Sequence, residues 1–102
     1  VINVIDYSAH YRDVEITVRA LLAREDFFTV DDKTELEEFI ASNEYGLALE
    51  CLASIMLEHK EAIDLKNCLE IRQLSSVIGI FDSRDINAVI DLSWRRESRP
   101  AP

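Results

Sequence analysis

The most apolar stretch of the chain lies between residues 44 and 59. Tyr45, Ala48, Leu49, Leu52, Ile55, Met56 and His59 recur at steps of three and four, so they share one face of a helix. Leu47, Cys51 and Leu57 widen that face beyond a stripe. A helix this apolar is contacted from several sides, which makes it the expected central member of a small bundle. Before it, Leu36, Phe39 and Ile40 predict a helix that starts at Thr29 or Asp31 and runs to residue 41. Asp31, Asp32 and Glu35 fall in its first turns, where the helix dipole favours each by about 0.3–1 kcal/mol. Glu37 and Glu38 face outward. Ser42-Asn43 breaks the two helices, with Asn43 the expected cap of the second. Gly46 sits in that helix's first turn, where the lack of a side chain admits a neighbouring helix.

The pattern continues on both sides. Tyr7, Tyr11, Val14, Val18, Leu21 and Leu22 predict a first helix over residues 4–24, capped by Asp6 or Ser8. Residues 14–18 also alternate in the manner of a strand, but the flanks extend the helical period in both directions. Arg24-Glu25-Asp26 ends this helix, and Phe27 and Phe28 should fold back onto the core. Asp64 is the expected cap of a fourth helix over 65–78, with Gly79 as its stop. Phe81 then packs back. Asp82-Ser83 caps a fifth helix over 84–94, closed by Trp94. The predicted architecture is all-α, a compact bundle of five short helices in one domain over 1–96, with 97–102 a disordered tail.

Composition agrees with this reading. The 102 residues suit one domain, and only two Gly and two Pro occur, too few turn residues for a β-sandwich or barrel. No apolar run approaches the roughly 20 residues of a membrane span. The start, Val1-Ile-Asn-Val-Ile, lacks the basic region and cleavage site of a secretion signal. Cys51 and Cys68 fall on apolar helical positions and read as buried reduced thiols, with a disulfide between neighbouring helices as the alternative.

Charge adds the main functional clue. Between Asp26 and Glu50 stand eight carboxylates and one cation, Lys33, a balance of −7 out of the chain's −9. That surface repels phosphate, so nucleic acid is excluded as a direct partner, and Arg95, Arg96 and Arg99 read as a solvated tail. Crowded carboxylates oppose folding by self-repulsion, and a strongly acidic surface suits a basic protein partner.

Chemistry is otherwise sparse. Two isolated glycines, Gly46 and Gly79, cannot cradle a phosphate. His10 and His59 do not form close-spaced ligand pairs with the cysteines. Asp31, Asp32 and Glu35 could gather on one turn around a cation, but the calcium-loop pattern is absent. No cofactor and no catalytic set is indicated. His59 reads as a core-edge residue. Tyr45 reads equally as a core ring and as a partner anchor.

Residues 37–52, Glu-Glu-Phe-Ile-Ala-Ser-Asn-Glu-Tyr-Gly-Leu-Ala-Leu-Glu-Cys-Leu, carry a resemblance. A polar break followed by Glu44-Tyr45-Gly46-Leu47-Ala48-Leu49-Glu50, with Leu52 after it, is similar to small immunity proteins of bacterial polymorphic toxin systems. These include contact-dependent growth inhibition immunity proteins and the MafI-like group. Elsewhere the likeness rests on size, acidity and helical character. It implies a cytoplasmic inhibitor, not an enzyme, that binds one cognate toxin C-terminal domain. The expected toxin is a basic nuclease, RNase before DNase. On this reading Asp31, Asp32, Glu35, Glu38, Glu44 and Glu50 supply the anionic contact and Tyr45 an anchor. The competing reading is an acidic helical adaptor for another basic protein.

Overall fold

The computed structural model describes residues 8–80 and 82–98. They form five helices: α1 (Ser8–Arg24), α2 (Val30–Ala41), α3 (Tyr45–Glu58), α4 (Leu65–Ile78) and α5 (Arg84–Glu97). The protein is an all-α bundle, and among the described residues there is no strand; residues 14–18 are helical. The expected start of α1 at residue 4, its cap at Asp6, and the contacts of Tyr7 and Phe81 lie outside the described residues.

α3 is the hub. It packs against each of the other four helices, because Ala48, Leu49, Leu52, Ala53, Ile55 and Met56 bury more than one face. Val14, Val18 and Leu21 of α1, Leu36 and Ile40 of α2, Cys68, Ile71 and Leu74 of α4, and Ile86 and Val89 of α5 complete one core. Among the described residues, α4 and α5 pair most extensively, α5 packs only on α3 and α4, and α2 only on α1 and α3. Phe28 is buried after α1, while Phe27 stacks on His59 at 5.0 Å, which places His59 at the core edge.

Local chemistry fixes the helix ends. The Thr29 hydroxyl accepts from the Asp32 N–H and the Asp32 carboxylate accepts from the Thr29 N–H, each at 3.0 Å, a reciprocal capping box. Asp64 accepts from the Asn67 N–H at 2.9 Å and Ser83 from the Ile86 N–H at 3.3 Å. Gly79 ends α4 in the left-handed region at φ 74°.

The break between α2 and α3 corrects one expectation. Asn43 does not cap α3; Glu44 occupies that position without a side-chain cap bond. Asn43 instead terminates α2. Its φ is +59°, its N–H donates to the Ile40 carbonyl at 3.1 Å, and the Glu44 N–H donates to the Phe39 carbonyl at 2.8 Å. This is a Schellman closure with asparagine in the left-handed position that glycine usually fills. Asn43→Val is therefore expected to destabilise the protein by about 1–2 kcal/mol, whereas Asn43→Gly should stay within a few tenths. Urea denaturation of the two variants against the wild type checks this, and equal losses would remove the backbone explanation.

Two further corrections concern α5. It extends to Glu97, a residue read from sequence as tail. Arg72 of α4 grips the Glu97 carboxylate with both terminal nitrogens, at 2.8 and 3.2 Å, and holds that carboxyl below its usual range. Trp94 does not close the core: it is 55% exposed, with the Arg72 guanidinium 3.9 Å over its ring. Arg95 and Arg96 are likewise helical, and Arg95 pairs with Asp91 one turn away. Arg96 reaches back to donate to the Ile63 carbonyl at 2.6 Å and the Lys60 carbonyl at 2.9 Å, tying down the α3–α4 link.

Candidate functional site

α2 and α3 run beside each other with an open groove of about 390 Å³ between them. Asp32 and Glu35 of α2, Glu50 and Glu58 of α3, and Asp85 of α5 line it, and among the described residues no Lys or Arg does. Its apolar lining is Phe39, Leu47, Cys51 and Ile55. Leu47 remains 47% exposed although its neighbours Ala48 and Leu49 are fully buried. The position follows from the helical period: residues 47, 50, 51, 54 and 58 form the face of α3 that the core leaves uncovered.

These carboxylates differ in what they do for the fold. Asp32 belongs to the α2 capping box, and Asp85 sits in the first turn of α5, where the helix dipole favours an acid. Glu35, Glu50 and Glu58 make no ion pair among the described residues. Glu58 lies in the last turn of α3, where the dipole disfavours a negative charge. No group of three or more His, Cys, Asp or Glu among the described residues is placed to hold a metal ion.

The sequence-predicted residues divide. Asp32, Glu35 and Glu50 meet in the groove, while Asp31, Glu38 and Glu44 are exposed outside it. Tyr45 is engaged internally. Its ring lies flat on Tyr11 at 4.8 Å and 4°, and its hydroxyl donates to Asn43 Oδ1 at 3.2 Å. Glu37 is paired across helices by Arg19 of α1, with bonds of 2.8 and 2.9 Å. Sequence reasoning missed Glu58 and Asp85. The helical spacing from Glu50 through Ser54 to Glu58 could have found the first; nothing in the sequence places Asp85 beside α2.

The motif at 44–50 resolves into two sets. Ala48 and Leu49 are core residues and Tyr45 is stacked, whereas Leu47 and Glu50 open onto the groove. A side chain on Gly46 would meet the tip of Ile80 at 3.3 Å, so the close approach there comes from the α4–α5 connection and not from a helix.

Cys51, half-buried and not fully buried as expected, faces the same groove; both cysteines are free thiols. Its thiol is pushed up to about 11, first by burial, then by the negative charges of Glu35 and Asp32, a hydrogen bond to Glu35 and the charge of Glu58. The Cys68 thiol is also raised, chiefly by burial. Alkylation of Cys51 by iodoacetamide at pH 8 should run roughly ten- to a hundredfold slower than that of a free thiol, and Glu35→Gln should accelerate it several-fold. Mass spectrometry across a pH series checks this; an ordinary thiol profile would show that the carboxylates do not act on Cys51.

Compared with known proteins, the chain matches no family model, no curated protein and no solved structure.

Proposed function

We propose that this protein is an immunity-type inhibitor that neutralises a basic toxin domain, a nuclease with RNase ahead of DNase, by presenting the acidic α2–α3 face to its substrate cleft. One observation carries the reading: three helices converge carboxylates on one groove without a cation among the described residues, and Glu35, Glu50 and Glu58 have no ion pair there. Glu58 opposes the dipole of its own helix. Acidic side chains kept against self-repulsion are the expected cost of a binding surface, since stability and function trade off at such sites. A cleft built for polyanionic RNA is lined with Lys and Arg, which such a face complements. The likeness of residues 44–50 to immunity proteins selects a toxin over other basic partners.

Co-expression with the toxin domain encoded beside it tests the proposal. The expected result is a stoichiometric complex and, on titration, complete loss of that domain's cleavage of RNA or DNA. No complex with that domain, and a stable one with a different basic protein, would replace this reading with that of an acidic adaptor.

A further inference from the structure

We infer that the α2–α3 groove receives a partner segment that presents one apolar side chain between two cations, rather than a purely cationic surface. The inference rests on the reading above and narrows it to the chemistry of the occupant. The groove is not simply a patch of charge. The least exposed part of its lining, its floor, includes the buried Ile55 and the half-buried Phe39, and Leu47 is half exposed beside the lining carboxylates of α2 and α3.

Exposed leucines are common singly, but this one sits inside a concavity. A volume near 390 Å³ falls in the lower range of ligand sites and suits a few side chains rather than a whole helix. An ammonium or guanidinium head meets the rim, where it stays partly solvated and sets register. An apolar residue between two such heads covers the floor and removes Leu47 from water.

Other occupants satisfy only half of this. A polyamine or oligolysine would neutralise the rim and leave the floor wet. A nucleic acid is repelled by the rim. A second copy of the chain brings its own charge of −9.

Two synthetic peptides with the same number of lysines test the inference, one of lysine alone and one with leucines interspersed between the lysines. Binding is measured at low ionic strength to the wild-type chain, to Leu47→Ser, and to Val30→Ser, which removes the 79% exposed valine on the outer face of α2 away from the groove. The leucine-containing peptide is expected to bind roughly tenfold more tightly than oligolysine and to protect Cys51 from alkylation. Leu47→Ser should erase most of that advantage; Val30→Ser should leave the binding of both peptides as in the wild type. Leu47 is a surface position, so melting curves should show that both variants fold. Equal binding of the two peptides, or equal losses from both variants, overturns the inference while leaving an acidic binding face intact. Failure of both peptides to bind overturns the acidic-face reading itself.

Discussion

Leu49→Ala is expected to destabilise the protein by about 3 kcal/mol, within the 2–5 kcal/mol typical of truncating a buried leucine. Leu49 is fully buried in α3, the helix that packs against all four others, so the void cannot be filled by a local shift of one neighbour. A domain of this size has roughly 5–10 kcal/mol in total, and the melting temperature should fall by about 12–20 °C. Leu47→Ala, two residues away on the uncovered face, should change stability by less than about 0.5 kcal/mol. Chemical denaturation of the two variants measures the contrast. A loss below about 1 kcal/mol for Leu49→Ala would show that α3 is not the centre of the core.

The central position of α3 was legible from its breadth of apolar residues alone, as were Leu36 and Ile40 on α2 and the ends marked by Asp64, Gly79 and Ser83. These are local signals, set by helical period and by side chains that bond a backbone group three residues away. What stayed hidden depends on distant pairings. Asn67 is a fully buried polar residue. It accepts from Arg24 and donates to Glu25 at 3.2 Å, across more than 40 residues of chain. Ser93 is buried because Arg72 donates to it at 3.2 Å and it donates to the Ile90 carbonyl. Polar residues of this kind look like surface in a sequence, since their satisfaction cannot be seen there. Asn43 was misassigned because a polar residue between two helices can serve either one. The groove was half legible for the same reason: Glu35 and Glu50 lie in the dense acidic stretch, whereas Asp85 arrives from the far end of the chain.

The double reversal Glu35→Lys/Glu58→Lys is the second large effect. Under the proposed function, at low ionic strength it should slow association with the toxin domain by roughly tenfold or more and flatten the salt dependence of the rate. The fold should change little. Neither carboxylate has a cation partner among the described residues; Glu35→Lys gives up a dipole-favoured position near the start of α2 and a hydrogen bond to Cys51, while Glu58→Lys gains a favourable one in the last turn of α3, so the melting temperature should stay within a few degrees of the wild type, roughly the shift of under 1 kcal/mol. Stopped-flow association and a thermal melt on the same sample separate the two outcomes. Reversing Glu35 together with Glu38, which stands outside the groove, should weaken the complex less. Inhibition and salt dependence unchanged by both double variants would remove this face as the contact.

The thin seating of α2 has a consequence for affinity. One wall of the groove is α2, the least extensively packed helix of the bundle, held among the described residues by α1 and α3. Segments attached in this way open sub-globally before the rest of a protein unfolds. Whenever α2 lifts, the groove ceases to exist, and under the proposed function the apparent dissociation constant is the intrinsic one divided by the fraction of time the groove stays closed. Under the proposed function, the Schellman closure at Asn43 and the Arg19–Glu37 bridge, both outside the groove, and the Thr29–Asp32 capping box, whose Asp32 lines it, thus act as set-screws on binding strength.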